Sequence, residues 1–322
     1  VQGTFFVGGM VGYNGAGLTI QSDGSNTAVY GAALSPYSNA KVTATGNTSN
    51  NACVGGIVGC SSQYTSSTAT INDTSFTGTS VTGPGAYVGG LIGYSYSLNT
   101  NNSYVNGAII SGTGASNISQ YVGGLVGGAY YSTISNGYVN SPGISATGGY
   151  VGGLVGYSTT PITTAYATGA VTGSTHYIGG LVGQSAAAIA TSYALGAVNA
   201  TGSNSERVGG LVGYSTSTVT DSYATGTVSG AGVSASRMGG LIGYSSSGNV
   251  VNSYASGVVT GSGGSSYYIG GLVGSLDSAT VSDSSYITGS VSGASYVGGL
   301  VGVTNSSAVI KGSYTARPVT GT

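Results

Sequence analysis

Apolar and polar residues alternate in short bursts along this chain, and the bursts repeat. In the stretch that begins at Val208, VGGLVGYSTSTVTDSYATGTVSGAG, three apolar segments (VGGLVGY, TVTDSYAT and TVSG) are divided by Ser, Thr and Gly clusters. Abundant β-branched residues and frequent glycine oppose helix, whereas short segments between turn residues fit strands. Copies of the glycine signature begin at Val7, Val54, Val88, Val122, Val151, Ile178, Val208, Met238, Ile269 and Val297, so successive starts differ by 47, 34, 34, 29, 27, 30, 30, 31 and 28 residues. A signature with such a period marks a repeat architecture, in which one turn of chain cannot bury its apolar face alone and stacking supplies the core. The pattern predicts an all-β fold, a parallel β-solenoid (β-helix) of about ten coils with roughly three short strands per coil. Coils about 4.8 Å apart would build a rod on the order of 50 Å long. Residues 1–322 read as a single repeat solenoid, and the longer first interval, 13–53, reads as an excursion or an end cap.

Stacking in register would superpose equivalent residues in columns. One column precedes the glycine signature: Phe6, Cys53, Tyr87, Tyr121, Tyr150, Tyr177, Arg207, Arg237, Tyr268 and Tyr296. Another follows it: Tyr13, Cys60, Tyr94, Gly128, Tyr157, Gln184, Tyr214, Tyr244, Ser275 and Val303. A third runs through Tyr104, Tyr138, Tyr166, Tyr193, Tyr223, Tyr254, Tyr286 and Tyr314, with Phe76 as its first member. Two residues ahead of it stand Asn102, Asn136, Asp221 and Asn252, with Thr in other coils. Repeated aromatic and Asn contacts stabilise stacked strands, so these columns read as structural ladders; a sugar-stacking or partner-binding strip is the alternative. The signature itself poses a puzzle, because in a regular strand Leu91, Leu125, Leu154, Leu181, Leu211, Leu241, Leu272 and Leu300 form an apolar stripe on the face opposite Val. Either another element or a partner covers that stripe, or the glycine pair bends the chain and turns Val and Leu to one side.

Composition narrows the function classes. The chain has 63 Gly, 26 Tyr, no Trp, 3% charged residues and a net charge of -1. Five Lys and Arg residues cannot build a phosphate-tracking groove, which argues against nucleic acid, and no apolar run is long enough to insert in a membrane. A near-neutral surface lacks the repulsion that keeps proteins apart and favours self-association. The opening VQGTFFVGGM has no signal-peptide features and already belongs to the repeat, as expected of a mature or trimmed chain. Val1–Thr4 and Val319–Thr322 occupy the same phase of the repeat, which fits an excerpt of a longer solenoid or a head-to-tail contact between copies; head-to-tail stacking is the expectation.

Chemistry is sparse. The acids are Asp23, Asp73, Glu206, Asp221, Asp277 and Asp283, the bases Lys41, Arg207, Arg237, Lys311 and Arg317, and His176 is the single histidine. No zinc-protease motif, phosphate-binding loop or nucleophile triad can be assembled from them, so no catalytic, cofactor-binding or metal residues are expected and the protein is not expected to be an enzyme. Arg207 and Arg237, stacked as like charges, read as exposed. Cys53 and Cys60 bracket the second signature; an extended VGGIVG would hold them about 23 Å apart, whereas a bend at the glycines would allow a disulfide. Thr-rich corners also suggest an ice-binding face, but the column Thr168, Leu195, Thr225, Ser256, Thr288 is interrupted.

The recurrent GGLVG, with GGMVG, GGIVG and GGLIG variants, resembles the GLUG-motif repeats of bacterial surface and secreted proteins, including adhesin-like proteins and non-catalytic parts of immunoglobulin A peptidases. The resemblance implies an extracellular or cell-surface β-solenoid and brings no catalytic residues, since the peptidase zinc motif has no counterpart here. The first expectation is therefore a secreted structural protein whose copies partner one another in a head-to-tail filament. The second is an adhesin or stalk module recognising glycans or host surfaces, and ice binding is third.

Overall fold

Five short strands make one coil. In a central coil they are Val198–Ala200, Arg207–Gly209, Val212–Ser215, Val219–Thr220 and Tyr223–Ala224, after which Val228–Gly230 opens the next. Equivalent strands pair in parallel along the axis to give five sheets, called I to V in that order, of 11, 10, 10, 10 and 9 strands. Register is kept from coil to coil, as in Val198↔Val228, Val208↔Met238, Val212↔Ile242, Val219↔Val250 and Tyr223↔Tyr254. This computed structural model describes all residues except 16–18, 22–40, 46–51, 63–68, 115–119, 175, 203–204, 231–235, 263–266 and 322, and contains no helix among those it describes. The fold is the all-β parallel β-solenoid expected. A coil has five strands rather than the roughly three expected, because the first two of its three apolar segments are each divided by a corner. Most of the 13–53 interval expected as an excursion or cap lies outside the described residues.

The core runs along the axis. Val198, Val208, Leu211, Val212, Val219 and Ala224 of one coil are all fully buried, one apolar side chain per strand plus the leucine of the glycine corner. That corner answers the puzzle of the leucine stripe. Strand II ends at Gly209, strand III begins at Val212, and the chain reverses between them, so Leu91, Leu125, Leu154, Leu181, Leu211, Leu241 and Leu272 are at 0% exposure inside the rod. Leu300, in the last coil, is half-buried and packs against the same core. Hydrogen bonding continues around the bend, where the Gly210 amide donates to the Gly239 carbonyl (3.1 Å), and the Leu211 and Val212 amides both donate to the Leu241 carbonyl (2.8 and 3.0 Å).

The glycines are required by backbone proximity. A Cβ on Gly209 would lie 2.0 Å from the Val212 carbonyl oxygen, and one on Gly213 2.6 Å from the Gly183 oxygen of the preceding coil. Strands II and III thus stack backbone against backbone, with no side chain between them.

The second corner, between sheets IV and V, turns on a left-handed residue. Asn102, Asn136, Thr164, Thr191, Asp221, Asn252 and Asp283 adopt φ between 47° and 52° there. Asn and Asp tolerate that region better than other non-glycine residues. Neighbouring coils are tied at this corner, with Asn102 Nδ2 donating to Asp73 Oδ1 (3.1 Å) and Asn252 Nδ2 to Asp221 Oδ1 (2.5 Å). A buried serine ladder runs beside it. Ser222 Oγ donates to the Thr220 carbonyl and accepts from the Ser192 amide, while the Ser222 amide donates to Ser253 Oγ, and Ser253 and Ser284 repeat the pattern. Replacing Ser222 with Ala leaves the buried Ser192 amide without its acceptor, so a loss of about 1–3 kcal/mol is expected in urea unfolding of S222A.

The third tyrosine column needs two corrections. Tyr104, Tyr138, Tyr166, Tyr193, Tyr223 and Tyr254 are in register. Opposite Tyr104 stands Ser75 rather than Phe76, and opposite Tyr254 stands Ser285 rather than Tyr286. Counted from the left-handed corner, the ring follows Asp221 by two residues but follows Asp73 and Asp283 by three. One extra residue sends a side chain to the other face of a strand. Phe76 and Tyr286 are accordingly at 0% exposure in the core, where the Tyr286 hydroxyl donates to the Gly257 carbonyl (2.8 Å). Tyr314 returns to the outer column beside Ser285.

Candidate functional surface at the glycine corner

Because the chain reverses within VGGLVG, the residues before and after it meet. The Cα atoms of Cys53 and Cys60 are 5.5 Å apart and the two are joined in a disulfide, so the bent geometry holds and the extended one does not. Cys53 pairs with Tyr87 and Cys60 with Tyr94 along the axis, so the first and second columns face each other across every corner. Phe6 meets Tyr13 at 5.2 Å, Tyr87 meets Tyr94 at 4.8 Å and Tyr150 meets Tyr157 at 5.8 Å between ring centroids. The common seven-residue spacing of cysteines and aromatic pairs was the one signal in the chain that could have shown the two columns as a single surface.

Within the first column Tyr87, Tyr121, Tyr150 and Tyr177 stack at 4.9, 4.6 and 4.6 Å, with planes within 12°. The second column has a gap at Gly128, where a Cβ would lie 2.8 Å from the Tyr87 ring. Tyr130 fills it from two residues along, reaching Tyr94 and Tyr157 at 5.3 Å each. The arginines do not stand free in solvent. Arg207 continues the tyrosine column with its guanidinium 4.8 Å from the Tyr177 ring centre and 5.2 Å from that of Tyr214, and Arg237 lies 4.9 Å from that of Tyr244. Arg207 Nη1 also donates to Glu206 at 2.9 Å, and its side chain is 18% exposed. Aromatic faces attract cations, which offsets the repulsion of two stacked guanidiniums. His176, 48% exposed, places Nδ1 3.5 Å from Glu206. Tyr268 and Tyr296 extend the column loosely, 5.2 Å apart with planes tilted by 36°.

Burial raises the phenol pKa of Tyr87, Tyr150 and Tyr157, and burial together with neighbouring phenols raises those of Tyr121 and Tyr130. In the core, burial pushes Tyr286 up to about 12. Phenols ionise near pH ~10 in an unfolded chain, so the folded rod holds these protons more tightly. That stability is complete below pH ~10 and is lost as pH rises through the folded-state values. Circular dichroism of the rod is expected to be constant from neutral pH to about 9 and to collapse above about 10, together with the rise of phenolate absorbance. A titration in which all 26 tyrosines ionise near pH ~10 while the structure stays intact would contradict burial of these rings.

The sheet V ladder is a different surface. Its six rings stack at 4.6 to 5.0 Å with planes within 5°, so each inner ring has both faces covered by its neighbours and only edges reach solvent. Beside it, the Thr168, Leu195, Thr225, Ser256 column continues into Ile287 rather than Thr288, since the Ser256 amide donates to Ala224 and the Ile287 amide to Ala255. Among the described residues no cluster of three or more His, Cys, Asp or Glu side chains gathers to hold a metal ion.

Corners, ladders and core together define a solenoid whose sequence signature is an axial stacking device. A family model described as the GLUG motif matches residues 204–229, which span the glycine corner, the Asp221 corner and Tyr223. This match and the solenoid together fit a GLUG-repeat β-solenoid, an architecture consistent with a structural surface protein. No curated protein and no solved structure matches it.

Proposed function

We propose that the chain is a non-enzymatic structural element of an extracellular surface filament, in which the coils of one copy continue into those of the next. The observation that carries this reading is the unbroken register of five parallel sheets, a ladder that any equivalent coil can extend. Unpaired strand edges with apolar side chains favour addition of another strand layer, and head-to-tail contacts of this kind do not close. The near-neutral surface adds little repulsion against it. An adhesin that stacks sugars on its long tyrosine ladder is a weaker reading, because the ring faces there already cover one another. Electron microscopy of untagged protein tests the filament, which requires uniform fibres with an axial repeat of about 50 Å per chain. Protein that stays monomeric by light scattering at high concentration would refute it.

A further inference from the structure

Immediately after strand III, among the described residues, the chain turns through a left-handed residue in four coils, at Ser97 (φ 56°), Tyr131 (50°), Ser278 (51°) and Ser306 (52°). Serine is small enough to stand there, whereas a bulky residue with positive φ is an outlier that its surroundings must hold in place. They do so at Tyr131. The Ser97 amide donates to the Tyr130 carbonyl (2.9 Å), Ser132 Oγ donates to the same carbonyl (2.8 Å), and the Ser95 and Ser132 hydroxyls are 3.2 Å apart. Residues 95–97 and 130–132 are thereby clamped together across two coils. Tyr131 is 71% exposed, and its ring lies against that of Tyr96 in the preceding coil, with 5.0 Å between centroids and planes at 54°.

This tilt separates the pair from the ladders. Rings in sheet V stack within 5° of parallel, so a bond between two ring edges would require one ring to leave the stack. Tyr87, Tyr121, Tyr150 and Tyr177 are stacked within 12° in the same way. The inclined pairs of the glycine corner each include Tyr87, Tyr121, Tyr130, Tyr150 or Tyr157, whose phenol pKa burial raises, which opposes the proton loss that accompanies oxidation of a phenol. Tyr268 is farther from its inclined neighbours, 5.2 Å from Tyr296 and 6.2 Å from Tyr267. Tyr96 and Tyr131 therefore combine inclined planes, close centroids and an outer ring open to solution. Two phenol rings joined directly are themselves twisted about the bond between them, so the pair is held near the geometry of its coupled product.

We propose that Tyr96 and Tyr131 are a site of oxidative dityrosine coupling, a covalent staple between neighbouring coils formed by a haem peroxidase and hydrogen peroxide. The peroxidase takes one electron and one proton from each phenol. The two phenoxyl radicals join through ring carbons beside the oxygens, and the hydrogens displaced there restore the two phenolic O–H groups. Hydrogen peroxide receives the two electrons and two protons and leaves as two water molecules. The new bond closes a loop over residues 96–131 and constrains the unfolded chain as a disulfide does. Both tyrosines belong to one chain, so the site is independent of the filament reading.

Treatment of dilute folded protein with haem peroxidase and limiting hydrogen peroxide, followed by peptide mapping by mass spectrometry, tests it. The expected product is a single chain that has lost two hydrogens, shows dityrosine fluorescence and is joined at Tyr96 and Tyr131, in higher yield than at any other pair, Tyr268 with Tyr296 included. Y96F and Y131F keep both rings but cannot form the second radical, and each should lose this product. Y223F, in the stacked sheet V ladder, should retain it. The coupled protein should also unfold at a higher urea concentration than the untreated protein. Absence of dityrosine within single chains overturns the proposal, as does a product linked mainly at another pair or only between chains. An unchanged urea midpoint on coupling would overturn the staple.

Discussion

Substituting alanine for Gly209 is expected to destroy the coil that carries it. The added methyl would sit 2.0 Å from the Val212 carbonyl oxygen and 2.7 Å from the Gly243 amide nitrogen, and both obstacles are backbone in hydrogen-bonded sheets. No rotamer change relieves such a clash, so strands II and III must part and the cost should exceed the ~4–5 kcal/mol that marks an exceptional point mutation. Gly143 provides the contrast, because its nearest neighbour to a built Cβ is the Ala170 oxygen at 3.8 Å. G143A should be neutral or more stable by up to about 1 kcal/mol, through the reduced freedom of the unfolded chain. Equal urea midpoints for G209A and wild type would mean that the two strands do not stack backbone to backbone.

Leu211→Ala should cost about 2–5 kcal/mol, the range for removing a buried leucine from a packed core. This variant discriminates between the two ways of covering the leucine stripe. Were the stripe on the outer surface awaiting a partner, L211A would change association and leave stability intact. Inside the rod, it should lower the urea midpoint of the isolated chain and leave its assembly unaltered. Leu195, 40% exposed, is the control, and L195A should stay within about 0.5 kcal/mol of wild type.

The period of the glycine signature and its turn-separated apolar segments made the solenoid and its register legible from sequence. Columns could be read wherever one residue type repeats at a constant offset, as for Tyr87 to Tyr177 and Tyr104 to Tyr254. They failed at Phe76 and Tyr286, where alignment by residue type overrode the offset from the left-handed corner, and a strand converts one residue of error into the opposite face. The corner at the glycine pair was undecided because apolar alternation alone does not distinguish a straight strand from a reversal; the distance of closest approach between two backbones leaves no mark except the glycines themselves. For the same reason the two columns flanking it were not seen as one face, and the arginines were taken as exposed charges when aromatic neighbours from three coils enclose them.

The in-register stack can be measured directly by pulsed electron paramagnetic resonance between spin labels in the outward column of sheet I, where Thr82, Ser111, Ser145, Thr172, Asn199, Ser229, Thr260 and Ser292 are successive partners. With one label at Thr82, a second at Ser229 or Ser292 lies five or seven rungs away, and narrow distributions near ~24 Å and ~34 Å are expected, about 4.8 Å per coil. Distances that do not grow in proportion to the number of coils would contradict the stack.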